Sequence, residues 1–260
     1  MNTFLYFFPT IFTAGNMFCG FWSIILSIKG DFVKSSWLII LGIILDGLDG
    51  VVARAKKTTS FLGIELDSIS DFITFCVAPI VLIWQLVMYK YSFSGVVICF
   101  LYIFFGAVRL ARFNISQYKK EKLTNFIEGL PTPASAGVIV SIVLLISLTT
   151  EMPISKRHIT LLISISPLIL NFLPGIILLL SILMVTKLRY LKFNNIKLTK
   201  KVSFRFFSLV LVAILLILAY PESSIFIIFS VYVLSGLLDY MVQMYKVSKN
   251  KWNEKSKRNS

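Results

Sequence analysis

Four aspartates dominate the chemistry this sequence could do. Asp46 and Asp49 stand three residues apart, and Asp67 and Asp71 four apart, within the stretch LDGLDGVVARAKKTTSFLGIELDSISDF. On an α-helix each pair shares one face. Two such helices joined by a short loop are antiparallel neighbours, so all four carboxylates can converge between them. Insertion scales put one aspartate at the centre of a bilayer at about 2.5 to 3.5 kcal/mol, and the surrounding sequence is strongly apolar, so the cluster needs compensation. Arg54 is the cation within easy reach, while Lys56 and Lys57 can stay hydrated in the loop. One guanidinium does not neutralise four carboxylates. Two divalent cations do, with the hard oxygen ligands that Mg²⁺ and Mn²⁺ take. A site of this kind keeps positions open for substrate phosphate and suits in-line displacement at phosphorus.

The small residues nearby fit that chemistry. Gly50 and Ala53 follow Asp46 at i+4 and i+7, which leaves space beside the metals for a bulky ligand. Gly63 permits close backbone approach ahead of Asp67. Arg54 offers a fork of donors for a phosphate oxygen.

The elements that must position these residues are membrane helices. Of the 260 residues 57% are hydrophobic and 15% charged, a balance that belongs to a bilayer rather than to water. A hydrocarbon core about 30 Å thick takes roughly 20 residues of helix to cross. Eight windows meet that need, near Thr10 to Ile28, Trp37 to Arg54, Asp67 to Met88, Ser94 to Phe113, Pro133 to Thr149, Pro167 to Lys187, Phe206 to Tyr220 and Ser224 to Met244. The predicted fold is therefore all-α, a polytopic bundle of about eight transmembrane helices forming one integral-membrane domain. The first window lacks a basic n-region and an A-x-A-like cleavage site, so it is read as a retained span. TFLYFFP before it suits headgroup depth.

Charge orients the bundle. If the windows alternate, 21 of the 26 Lys and Arg fall on the side that carries both termini. The positive-inside rule then makes that side cytoplasmic and puts the four acids at the cytoplasmic end. The net charge of +14 follows from topology, which excludes nucleic acid as the expected partner, and the basic tail 246–260 is read as a solvated end touching anionic lipid. Cys19, Cys76 and Cys99 lie inside the windows without metal or disulfide spacing, and the single histidine, His158, removes any two-histidine zinc site. Between the fourth and fifth windows, GLPTP cannot continue a helix and is expected to be a rigid lead into the fifth. Pro167 and Pro174 predict a kinked or tilted sixth span.

The spacing D-x-x-D-G-x-x-A-R-x8-G-x3-D-x3-D, filled by Asp46, Asp49, Gly50, Ala53, Arg54, Gly63, Asp67 and Asp71, resembles the signature of the CDP-alcohol phosphatidyltransferases at every fixed position. GNMFCGF, RLARFN, FIEGLPTPASAG and LMVTKLRY extend the resemblance over most of residues 9 to 190, toward the bacterial, membrane-embedded members whose acceptor is serine. One departure is Thr10, where related sequences commonly carry asparagine after the proline.

The resemblance implies transfer of the phosphatidyl group of CDP-diacylglycerol to the hydroxyl of L-serine, with release of CMP. It implies a core of six spans over 1–190, two additional spans over 191–245, and a basic cytoplasmic tail over 246–260. It implies that Asp46, Asp49, Asp67 and Asp71 hold two divalent cations, Mg or Mn, that Asp71 also takes the serine proton, and that Gly50, Ala53, Arg54 and Gly63 line the CDP site. A serine carboxylate calls for a guanidinium, which points to Arg109 and Arg112 with Asn114 beside them. A homodimer in the bacterial cytoplasmic membrane, with its active site facing the cytoplasm, completes the expectation. Two rivals stand beside it: the same chemistry on glycerol 3-phosphate or an inositol phosphate, and a divalent-cation transporter whose path the four acids line.

Overall fold

The computed structural model describes residues 3–56, 61–118, 126–151, 160–186, 188–191 and 220–258. Two long helices open the chain, α1 (Thr3–Ile28) and α2 (Phe32–Lys56). The reversal between them is encoded locally. Gly30 sits at φ +82°, where a residue without Cβ ends a helix at little cost. Asp31 then starts α2, its Oδ1 accepting from the Lys34 backbone N–H at 3.3 Å and its Oδ2 from Lys34 Nζ at 2.7 Å. That ion pair holds the Asp31 carboxyl below its ordinary range, chiefly through the side-chain hydrogen bond. In the seam between the helices, Ser23, Ser27 and Ser35 are buried and bond to one another at 2.7 to 2.8 Å, so the polar atoms that let the backbones approach satisfy themselves.

The next helix is continuous over Phe61–Leu86 but changes character along its length. It runs as α3 (Phe61–Asp71), a π-helical segment (Phe72–Val77) and α4 (Ala78–Leu86). Pro79 has no N–H for the carbonyl of Phe75 four residues earlier; that carbonyl accepts instead from the buried Tyr102 hydroxyl at 3.2 Å. A 3₁₀ turn (Met88–Tyr91) leads to α5 (Ser92–Tyr118). Then come α6 (Thr132–Glu151), α7 (Thr160–Val185) and α8 (Pro221–Arg258). Phe75, Leu82, Ile83, Ile139, Leu144 and Ile177 are among the side chains that fill the centre, all fully buried.

Seven of the eight expected windows coincide with helices. The window from Phe206 lies outside the described residues apart from Tyr220. Among the described residues, four helices are long and apolar enough to cross a membrane, over Ile11–Ile28, Phe61–Leu86, Met88–Ser116 and Pro221–Asp239. The apolar runs of α6 and α7 are shorter, Thr132–Ser147 and Asn171–Val185, and that of α2 is broken by Asp46 and Asp49. Large apolar side chains such as Phe18, Phe93, Phe100 and Phe172 point outward, the surface expected of a protein whose solvent is lipid.

Three features add to the expected picture. The chain is helical but not purely so: β1 (Phe126–Glu128) pairs antiparallel with β2 (Arg189–Leu191), Glu128 opposite Arg189. GLPTP is thereby more than a lead into α6. Gly129, at φ +78°, donates to the Leu188 carbonyl at 2.8 Å, and Leu130 N–H donates to that of Leu183 at 3.0 Å, so the run is stitched to the end of α7. Helix α7 runs unbroken through Pro167 and Pro174, and the basic tail continues α8 as helix to Arg258.

Candidate functional site

The acids meet where α1, α2, α3 and α5 come together. Asp46 of α2 and Asp67 and Asp71 of α3 each bring a carboxylate oxygen within 4.8 Å of the others. Asp49, one turn beyond Asp46, is buried and remains within electrostatic range of Asp67. Its Oδ2 accepts from the Thr13 hydroxyl of α1 at 2.5 Å, while its Oδ1 is buried with no hydrogen-bond partner among the described residues. So the two members of the Asp46 and Asp49 pair differ in surroundings: one faces the α3 acids directly, and the other is held from α1 by one oxygen.

Ionised carboxylates this close repel by roughly 3 kcal/mol per pair at an effective dielectric near 20. The repulsion is built in, because α1 holds the acid helix in place through several bonds. Asn16 Nδ2 donates to Asp71 Oδ1 at 3.2 Å. Ser70 Oγ donates to the Thr13 carbonyl at 3.0 Å, and Thr74 Oγ1 to the Asn16 carbonyl at 2.9 Å. The π-helical segment begins directly after Asp71, an irregularity common at functional sites. Three converging hard-oxygen donors, with an orphaned carboxylate oxygen on a fourth, fit divalent cations such as Mg²⁺ or Mn²⁺.

Of the expected phosphate-side residues, Gly50 lies on α2 next to Asp49, and Gly63 on α3 one turn before Asp67. Ala53 and Arg54 belong to the last turns of α2, and their side chains lie outside the described ones, as does that of Thr10 on α1.

The three expected acceptor residues separate. Arg109 is buried and within electrostatic range of Asp71 and Asp46; its Nη1 donates to Thr132 Oγ1 at 3.0 Å, and its Nε has no partner among the described residues. Arg112 is exposed and donates to the Val185 carbonyl at the end of α7, 2.9 Å away. Asn114 is buried, its Oδ1 accepting from Ser68 at 3.0 Å, which ties α5 to the residue after Asp67. Arg109 alone of the three leaves a buried donor unpaired.

Thr13 and Asn16 are site residues that the spacing of the acids did not reveal. The available signal was their position, three apart on one face of an otherwise apolar helix, where a polar side chain needs a partner.

The sequence model of one family, CDP-alcohol phosphatidyltransferase, matches residues 6–187, which contain every residue of this site. The CDP-diacylglycerol-serine O-phosphatidyltransferase of Helicobacter pylori is 37% identical over 247 residues, covering 95% of this chain and 96% of its own length. The protein of the same name from Bacillus subtilis is 36% identical over 132 residues, 51% of this chain and 72% of its own. That of Saccharomyces cerevisiae is 34% identical over 139 residues, 49% and 50% of the two lengths.

Proposed function

The chain belongs to the CDP-alcohol phosphatidyltransferases, and from that premise we propose that it transfers the phosphatidyl group of CDP-diacylglycerol to the hydroxyl of L-serine. The serine oxygen forms a bond to the lipid-borne phosphorus, the bond from that phosphorus to the oxygen of CMP breaks, and CMP leaves. The observation that carries this reading is the convergence of Asp46, Asp67 and Asp71 in a chain 37% identical, nearly end to end, to a CDP-diacylglycerol-serine O-phosphatidyltransferase.

Asp46, Asp49, Asp67 and Asp71 are the residues that would hold two divalent cations, Mg or Mn, which when bound offset the clustered negative charge and polarise phosphoryl oxygens. Asp71 is the proposed base, since a serine hydroxyl is a poor nucleophile near neutral pH and needs a carboxylate to take its proton. The Asn16 amide fixes one of its oxygens, which restricts the direction from which the proton is taken. Gly50, Ala53 and Gly63 line the CDP site in this reading, and Arg54 grips the diphosphate. Arg109 receives the acceptor's carboxylate, supported by its burial, its unpaired Nε and its reach to Asp71. Arg112 and Asn114, already engaged by Val185 and Ser68, serve as positioning residues.

The same reading puts both termini and the active site on the cytoplasmic side of a bacterial cytoplasmic membrane, with eight spans, a six-span core over 1–190, two further spans over 191–245 and a basic tail. The Lys and Arg asymmetry supports that orientation. The homodimer is carried on family resemblance.

The test is CMP release from CDP-diacylglycerol by the purified chain with L-serine, with glycerol 3-phosphate, with an inositol phosphate, or with no acceptor. Serine-dependent release is expected. Release dependent on a phosphorylated acceptor alone would move the chain to another branch of the family, and cation flux without CMP release would favour a transporter. Against the latter, the polar cluster nearer the opposite end of α1 is Ser23, Ser27 and Ser35, whose hydroxyls are taken up with one another.

A further inference from the structure

Helix α8 lies beyond residues 6–187 and has no part in the chemistry described so far, yet one face of it packs on α6 and β2. Gly137 of α6 is shaped to receive Phe229: a Cβ there would come within 2.5 Å of the ring. Gly236 of α8 does the same for Tyr190 of β2, whose ring occupies the space a side chain would need. Tyr190 is fully buried and stacks on Tyr232 of α8, ring centroids 5.6 Å apart and planes 29° from parallel. Arg109 reaches the same region through α6: its Nη1 donates to Thr132, three residues past Gly129, whose N–H is bonded to the Leu188 carbonyl two residues before Tyr190, and Tyr232 and Asp71 both lie within its electrostatic range. Tyr190, Tyr232 and Arg109 therefore gather where β2, α8 and the start of α6 meet.

Two atoms of these side chains are buried without a hydrogen-bond partner among the described residues, the Tyr190 hydroxyl and Arg109 Nε. Buried donors are seldom left so, and each unmet one costs about 1 to 3 kcal/mol, more for a charged group. Arginine can only donate, and a tyrosine hydroxyl donates readily. An acceptor group, best an anionic one, is what each of them lacks. Thr132 already occupies Arg109 Nη1, so the guanidinium is held with its Nε edge available.

We propose that α8 completes the acceptor site: Tyr190 and Tyr232 form, with Arg109, the wall that recognises the carboxylate of an amino-acid acceptor. This rests on the reading that the acceptor is serine. Tyr190 and Tyr232 are specificity-determining residues, and the C-terminal helix is part of the catalytic domain rather than an appendage.

The experiment uses the purified full chain with Tyr190→Phe and Tyr232→Phe, which keep the stacked rings and remove one hydroxyl each. Acceptors are L-serine and serinol, which retains the hydroxymethyl and ammonium groups but has no carboxylate. The wild type is expected to prefer L-serine strongly. Each variant is expected to raise KM for L-serine about tenfold or more, the worth of a hydrogen bond to a charged group, to shrink the preference over serinol, and to leave KM for CDP-diacylglycerol and Mn²⁺ binding unchanged. An unchanged KM for serine in both variants overturns the proposal. So does a general loss of rate with the serine-to-serinol ratio intact, which marks a purely structural role. Absence of serine-dependent CMP release in the wild type is a different result: it refutes the acceptor reading, and the carboxylate assignment falls with it.

Discussion

Asn16 on α1 and Asp71 on α3 are joined by a 3.2 Å hydrogen bond across fifty-five residues of chain. The bond sets the direction of the carboxylate proposed to act as base, from a helix that supplies no acid of its own. Asn16→Ala is expected to leave the bundle folded and to lower kcat by about ten- to a hundredfold, since a hydrogen bond to a charged acceptor is worth about 1.5 to 3 kcal/mol. Steady-state kinetics with saturating metal check this. An unchanged kcat would mean Asp71 is oriented by something else.

Thr13 is the second tether, its hydroxyl donating to Asp49 Oδ2. Thr13→Val removes the donor at nearly constant volume and leaves a buried carboxylate with neither oxygen bonded by α1. Weaker Mn²⁺ binding, by about tenfold, is expected in calorimetric titration, whereas Thr13→Ser should bind as the wild type does. Equal affinities in all three proteins would remove Asp49 from the metal site.

Close packing of α1, α2 and the π-helical segment rests on missing side chains. A Cβ at Gly42 would lie 2.7 Å from Thr74 Cγ2 and 2.9 Å from Asn16 Oδ1. Gly42→Ala is expected to cost about 1 to 3 kcal/mol and to lower activity by displacing Asn16. Gly47, one turn along α2, has nothing within 4 Å of the same position. Gly47→Ala should therefore be neutral or gain up to about 1 kcal/mol in helix propensity. Thermal unfolding in detergent compares the two, and equal Tm shifts would contradict the packing described.

Burial first, and the neighbouring Tyr232 second, push the Tyr190 hydroxyl up to about 12, against about 10 for an exposed tyrosine. With the folded value raised, the native state holds this proton after the unfolded chain has released it. The contribution to stability is whole below pH about 10 and is lost as pH rises through 12. Stability measured across that window should fall in the wild type and fall less in Tyr190→Phe. Identical slopes would place Tyr190 in contact with solvent.

Much of the site was legible because its information is local. Asp46 with Asp49 and Asp67 with Asp71 declare themselves by helical spacing, and the short chain between the pairs makes their helices neighbours. Local spacing put Asp46 and Asp49 on one face but did not show that Thr13 of α1 holds one oxygen of Asp49. Thr13 and Asn16 act on partners thirty-six and fifty-five residues away, and no periodicity connects them. The pairing of β1 with β2 was hidden for a related reason, since strands of three residues show no alternation and their partners lie more than sixty positions apart. Arg109 and Arg112 look alike in sequence, three apart at a helix end. Burial separates them: one faces the acids and the other caps α7.

The central claim is that the four aspartates hold divalent cations that the transfer requires. Its most direct test is Mn²⁺ titration of the purified chain, followed by calorimetry and by serine-dependent CMP release in the same samples, for the wild type and for Asp46→Asn, Asp67→Asn and Asp71→Asn. The account predicts two ions per wild-type chain, weakened or lost binding in each variant, no CMP release in chelator, and recovery on adding Mg²⁺ or Mn²⁺. Full CMP release in chelator, or full release by Asp71→Asn, would contradict it.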